Sequence, residues 1–215
     1  MNDKLKVLLV DDHTVVRAGF RMLLSSQHFI EQIMDVDRGE LACQNYNEFQ
    51  PDVVVMDLSM PGIGGLETIR RLVQLDNKAI ILVYSIHDEA IYVERALQAG
   101  AKGYVSKNSA AEVLAEAVLL VASGERYVEE GLLPEQKFNN NKESLRQIID
   151  VLSPREFDVF CLLAKGMTVR EAASDLCLGY KTVANYSTQI KNKLNASTAA
   201  DLAHIAITLG IIKND

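Results

Sequence analysis

The chain has 215 residues, with 22 Lys and Arg against 29 Asp and Glu and a net charge of −7, a length that leaves room for one large or two small domains. Its apolar share of 48% suits a globular protein. No run reaches the ~18 to 20 apolar residues of a membrane span, and the N-terminal apolar run is too short for a signal peptide, so a cytoplasmic protein with no membrane role is expected.

The first 123 residues alternate between two periods. Short runs rich in Val and Ile at 6–10, 30–36, 53–57, 79–84 and 103–106 read as strands. The stretches between and after them, 15–24, 40–46, 66–75, 89–99 and 111–122, carry apolar residues at helical spacing. Five strands alternating with five helices predict an α/β domain: a five-stranded, parallel, doubly wound sheet of the flavodoxin type. Residues 124–150 lose this periodicity, hold Gly124, Gly131, Pro134 and three successive asparagines, and read as a linker with a short helix at 144–151. Residues 151–215 read as a small all-α domain of four helices. Ser153-Pro154-Arg155-Glu156 and Thr168-Val169-Arg170-Glu171 have the form of capping boxes. Gly166 is expected to stop the first helix and Gly179 the second, giving helices at 169–176 and 181–194 joined by a tight turn, a helix-turn-helix. A last helix covers 199–209. Cys43, Cys161 and Cys177 are far apart and form no CxxC pair, which argues against a zinc site or a disulfide framework.

Charge is unevenly spread. Residues 1–123 hold 11 Lys and Arg against 17 Asp and Glu, residues 124–150 hold 4 against 6, and residues 151–215 hold 7 against 6. The last part alone is not repelled by a polyanion.

Four of the strand runs end on polar residues: Asp11 and Asp12, Asp57, Ser85 and Lys107. In a parallel sheet, side chains at the C-terminal strand ends gather in one crevice. Three carboxylates together need a cation, and Mg²⁺ with its hard oxygen ligands is the natural candidate. Asp12 and Asp57 are placed to hold it directly, with the backbone carbonyl of Ser59 as a third ligand and Asp11 as a ligand directly or through water. A carboxylate such as Asp57 can accept a phosphoryl group as an acyl phosphate. Lys107 would pair with phosphoryl oxygens as a point charge, and Ser85 would donate a hydrogen bond to them. His13 follows the acid pair, but imidazole is a poor ligand for Mg²⁺, and a role at the start of the first helix suits it better.

VLLVDDHTVVRAG, VVVMDLSMPGIGGLE and AGAKGYVSK resemble the receiver domain of two-component response regulators. LSPREFDVFCLLAKGMTVREAASDLCLGYKTVANYSTQIKNKL resembles a LuxR-type helix-turn-helix. Together they are similar to the NarL/FixJ family of transcriptional response regulators. The resemblance implies phosphorylation of Asp57 by a sensor histidine kinase or phosphotransfer protein, a Mg²⁺ site at Asp11 and Asp12, and Ser85 with Lys107 around the phosphoryl group. It marks Tyr104 as an aromatic switch whose ring turns inward when the hydroxyl residue moves. Many receivers carry a small residue after the switch hydroxyl and proline after the lysine; this chain has Ile86 and Asn108.

Wound at 3.6 residues per turn, 181–194 puts Val183, Tyr186, Ile190 and Leu194 on an inward stripe. Lys181, Ala184, Asn185, Thr188 and Asn192 lie opposite, with Gln189 flanking. Asn, Gln and the Ala methyl suit base edges, and Lys181, Thr182, Lys191 and Lys193 suit phosphates of double-stranded promoter DNA. With a domain charge of only +1, tight binding calls for two copies on a two-fold site. Phosphorylation is therefore expected to promote a homodimer, through the receiver or through Leu202, Ile205, Ala206 and Leu209 of the last helix. RNA polymerase is a candidate further partner. The competing readings are a phosphorylation-independent adaptor or DNA-binding protein, which the intact set Asp11, Asp12, Asp57, Ser85 and Lys107 opposes, and a Mg²⁺-dependent phosphohydrolase. The second lacks a DxD around Asp57 and is opposed for that reason. The chain is thus expected to be a phosphoacceptor that assists its own acylation and slow hydrolysis, and no enzyme beyond that.

Overall fold

A computed structural model describes residues 4–133 and 149–212. Most of the short helix expected at 144–151, and much of the expected linker, lies outside the described residues. The chain divides into two compact units, the first holding a β-sheet and running to Leu133 apart from Glu89–Ile91, which group with the second, and the second holding the helices that follow.

In the first unit the Val-rich runs form β1 (Leu5–Val10), β2 (Ile30–Val36), β3 (Val53–Met56), β4 (Ile81–Ser85) and β5 (Gly103–Ser106). Between and after them come α1 (Thr14–Ser25), α2 (Gly39–Phe49), α3 (Gly65–Leu75), α4 (Ala90–Ala99) and α5 (Ala111–Ala122). The expected sheet has five strands; the observed sheet has six, in the order β2-β1-β3-β4-β5-β6, all parallel. The added strand, β6 (Tyr127–Val128), lies in the stretch read as linker. Two residues carry no period, so nothing in the sequence marks it. Backbone bonds define it: Tyr127 N donates to Lys102 O at 3.2 Å and Glu129 N to Tyr104 O at 3.0 Å.

Strand side chains alternate between two faces. Val7, Leu9, Val53, Val55, Leu82 and Val105 form one core with Leu24 of α1 and Leu114, Val118 and Val121 of α5. The intervening Leu8, Val54, Met56, Ile81 and Val83 are as deeply buried on the other face. This double burial explains why the strands read as continuous apolar runs. The strand order reverses between β1 and β3, so the loops after these two strands open a crevice at the C-terminal sheet edge.

The second unit contains α6 (Pro154–Ala164), α7 (Val169–Asp175), α8 (Tyr180–Lys193) and α9 (Ala199–Thr208). Both expected capping boxes are present: Ser153 with Glu156, and Thr168 with Glu171; Thr198 with Asp201 makes a third. Gly166 follows α6 with a left-handed φ of 91°. Gly179 does not stop α7. Cys177 takes the left-handed position instead, at φ 50°, and Leu178 N closes onto Ala173 O at 2.9 Å. Gly179 is the N-cap residue of α8. Val183 and Ile190 of α8 are fully buried, and Leu194 nearly so, while Tyr186 is half-buried. On α9, Leu202 and Ala206 are buried and the helix packs on α6, so this part of the stripe offered for dimerisation is spent on the unit's own core.

Candidate functional site

The ends of β1, β3 and β5 bring Asp11, Asp57 and Lys107 into contact. Asp11 is 1% exposed and Asp57 2%. Lys107 Nζ donates to Asp11 Oδ2 at 2.7 Å and lies 2.8 Å from Asp57 Oδ2. The second contact is an ion pair, and Asp57 Oδ2 accepts no further hydrogen bond; Asp12 Oδ1 is buried and accepts none either. Burial pushes the Asp57 carboxyl above the ordinary aspartate range, with the Lys107 charge pulling the other way. His13 is the N-cap residue of α1, as its position suggests, and its imidazole also faces the acids: Nδ1 lies 3.0 Å from Asp12 Oδ1 and 4.0 Å from Asp57 Oδ2.

One ligand atom from each of Asp11, Asp12, His13 and Asp57 fits within 4.8 Å of the others. Two buried carboxylate oxygens that accept no further hydrogen bond, beside a third carboxylate, are hard donors suited to a divalent cation. The acidic cluster can therefore hold a metal. His13 contributes the one nitrogen and is the least suited of the four to a hard ion.

The loop after β3 is held in place by two features. Gly65, at the start of α3, sits so close that a Cβ there would overlap the Asp57 carbonyl oxygen. Glu40 of α2 accepts from Ile63 N at 3.0 Å. Ser59 N donates to Asp57 Oδ1 at 3.3 Å, which orients the carboxylate.

Ser85 is fully buried at the end of β4, and its Oγ accepts from His87 N at 3.3 Å. Lys107 N donates to Ser85 O at 2.7 Å, which ties the loop after β5 to β4. Tyr104 is 0% exposed, and its hydroxyl donates to His87 O at 2.7 Å. The Lys107–Asn108 peptide is trans, and Ile86 is 55% exposed. His87 was not singled out from the sequence, yet it joins several of these groups. Its Nε2 bonds Ser59 Oγ at 2.9 Å, and its ring stacks on Tyr92 with centroids 4.0 Å apart. The only signal was its place two residues after Ser85.

In the second unit, Lys181, Thr182, Asn185, Thr188, Gln189 and Asn192 are exposed on α8, and Ala184 and Lys191 are half-buried. Lys193 departs from the expectation. Its ammonium donates to Glu156 Oε2 at 2.6 Å and to Val151 O at 3.2 Å, so it serves the packing of α8 on α6 instead of standing free for a phosphate. Burial raises the Glu156 carboxyl, but hydrogen bonds from Lys193 and Ser153 outweigh it and hold the group below the usual glutamate range.

Two family models match. Residues 7–119 match the response regulator receiver domain, and residues 150–206 match the luxR family of bacterial regulatory proteins. The chain belongs to the two-component response regulators. Its make-up, a receiver followed by a LuxR-type DNA-binding domain, is that of the NarL/FixJ type. Among relatives of this response regulator, transcriptional activator protein ExaE of Pseudomonas putida is 39% identical over 96% of this chain and 98% of its own. Response regulator UvrY of Escherichia coli K12 is 35% identical over 96% and 95%. Among solved structures, a LuxR-family two-component response regulator from Aurantimonas sp. SI85-9A1 is 35% identical with a TM-score of 0.59, covering 60% of this chain and 93% of its own. RcsB of Salmonella enterica serovar Typhimurium, solved on promoter DNA, is 23% identical with a TM-score of 0.59 over 96% and 100%, a likeness of fold. Among the described residues, no helix of this response regulator is long and apolar enough to cross a membrane.

Proposed function

We propose that this response regulator accepts a phosphoryl group on Asp57 from a sensor histidine kinase or phosphotransfer protein, and that the acyl phosphate controls DNA binding and transcription. One observation carries the reading. Asp57 is a buried strand-end carboxylate with an oxygen that is ion-paired at 2.8 Å to the ammonium of Lys107 and accepts no further hydrogen bond.

The carboxylate oxygen attacks phosphorus in line. The P–N bond of the donor phosphohistidine breaks as the new P–O bond forms, and its electron pair leaves with the imidazole. Asp11, Asp12, Asp57 and the Ser59 carbonyl would hold Mg²⁺, which when bound neutralises charge on the phosphoryl oxygens. Lys107, balanced in the resting state between Asp11 and Asp57, turns its charge to a phosphoryl oxygen. Ser85 donates to another, and its movement pulls on His87, whose carbonyl holds the Tyr104 hydroxyl. A local charge change is thus converted into a change at Ser85 and Tyr104. Hydrolysis of the acyl phosphate at the same site is slow and ends the signal.

We extend the receiver from the expected 1–123 to Leu133, since β6 joins its sheet, and assign 134–150 to the connection and 151–215 to the DNA-binding domain. On α8, Ala184, Asn185, Thr188, Gln189 and Asn192 address the DNA bases, with Lys181, Thr182 and Lys191 at phosphates. The small positive charge of this domain favours binding as a phosphorylation-promoted homodimer on two half-sites, where RNA polymerase is the further partner.

The test uses acetyl phosphate with Mg²⁺, intact mass, and affinity for a duplex selected from random sequence. An adduct of about 80 Da that is absent in Asp57→Asn and that tightens DNA binding is the expected outcome. No adduct at any donor concentration would overturn the reading.

A further inference from the structure

Glu129 follows β6, and its side chain reaches back over the sheet edge to the loop that carries Lys107. Its Oε2 accepts from Ser106 N at 2.8 Å, and its Oε1 accepts from Ser109 Oγ. Its own N–H donates to Tyr104 O at 3.0 Å. Ser106 and Ser109 bracket Lys107, so one carboxylate clasps both ends of the turn from outside. Within the turn, Ser109 N donates to Ser106 O and Asn108 N to Ser106 Oγ, both at 3.2 Å.

The turn's chemistry explains why such a clasp belongs there. Many receivers have proline after the lysine, and a proline ring fixes φ and removes the backbone donor. Asn108 does neither. It leaves the turn more freedom and uses its N–H on Ser106 Oγ. A carboxylate accepting one backbone and one hydroxyl hydrogen bond, both charge-assisted, restores the constraint from the neighbouring strand. The clasp also links two functions. Lys107 bears on Asp11 and Asp57 at one end of the turn's reach, while β6 opens the segment that continues toward the second unit.

We propose that Glu129 is a positioning residue for Lys107 and that it couples the state of Asp57 to the β6 segment. This rests on the reading of Asp57 as phosphoacceptor. When Lys107 turns from the carboxylates to a phosphoryl oxygen, the Ser106–Ser109 turn shifts, and Glu129 carries that shift into 127–129. β6 is then a sensor strand as well as a sheet edge.

Full-length protein, acetyl phosphate with Mg²⁺ and beryllofluoride provide the test. Acylation is followed by intact mass, and amide hydrogen exchange is followed at 104–109 and 127–129. In wild type, beryllofluoride changes exchange in both segments. Glu129→Ala is expected to acylate about tenfold more slowly, as a misplaced charged group does, and to leave 127–129 unresponsive to beryllofluoride while 104–109 still responds. Glu129→Gln keeps an acceptor for Ser106 N and should recover most of the rate. Ser109→Ala, which removes one arm at a half-buried side chain, should lie between them, and it carries the test if Glu129→Ala does not fold. Wild-type acylation in Glu129→Ala with β6 still responding, or a lowered melting temperature as the only change, would overturn the proposal. A wild type that forms no adduct would overturn the phosphoacceptor reading itself, a separate result.

Discussion

Lys193, in the last turn of α8, donates to Glu156, the capping-box residue of α6, at 2.6 Å. The helix proposed to read DNA is therefore pinned by its C-terminal end to the start of α6. Glu156 is buried, with its side chain 3% exposed, and Lys193 is 40% exposed. The pair lies between the weak surface case and the costly buried one.

Lys193→Met should accordingly destabilise the second unit by about 1–2 kcal/mol, read by denaturant unfolding. The pH dependence has a definite sign. A glutamate held below its usual range contributes stability above its unfolded pKa of about 4.3, and loses it as pH falls through the lower folded value. The gap between wild type and variant should be full at neutral pH and close in acid. A gap unchanged at low pH would show that the methylene packing of Lys193 matters more than its charge.

Asp57→Asn should stabilise the metal-free protein. Burial raises the Asp57 carboxyl, so folding disfavours its charged form. That cost is absent well below the unfolded pKa of about 3.9 and grows as pH rises toward the folded value. Removing the charge is expected to raise the melting temperature by about 2–4 °C at pH 7, in the presence of a chelator. A lower melting temperature would mean that the loss of Lys107's partner outweighs the relief.

Two substitutions on α8 should behave differently. Asn185→Ala should cost about 1–3 kcal/mol on the preferred duplex and relax base choice at one position. Lys181→Ala should weaken all sequences alike and reduce the salt slope by about 1. Binding measured on selected and scrambled duplexes across salt separates them; equal effects on every sequence would remove the base-reading assignment.

Two glycines offer a contrast in cost. Gly65→Ala drives a methyl group into the backbone of Asp57 and should cost about 2–4 kcal/mol, with slower acylation because the acceptor is displaced. Gly166→Ala meets nothing nearby, and its penalty is the left-handed φ of 91° alone, about 1–2 kcal/mol. Thermal unfolding and acetyl-phosphate kinetics should separate the two.

The strand-end acids and Lys107 were legible because parallel strands buried on both faces write themselves as unbroken apolar runs, and the polar residues that close each run mark the sheet edge. The capping boxes were legible for a similar reason: the bonds are local. What was hidden depends on reach through space. His87 acquires its partners from the path of the loop after β4, which no period encodes. β6 is defined by two backbone bonds and has no pattern of its own. A helical wheel assigns Lys193 to a face but says nothing of where a four-carbon stem carries its ammonium, so Glu156 was not anticipated. Cys177 took the left-handed position expected of Gly179 because the turn closes two residues earlier than the glycine suggests.

The sixth strand also bears on where this protein can be cut. A fragment ending at residue 119, where the receiver match stops, would remove Tyr127, Val128 and Glu129 and bare the outer edge of β5. The carbonyls of Lys102 and Tyr104 would lose their donors, and Ser106 N its acceptor. Unpaired strand edges of this kind recruit other chains. A soluble, monomeric receiver fragment should therefore keep the chain through Leu133, and self-association of shorter fragments would reflect a bared edge and not signalling.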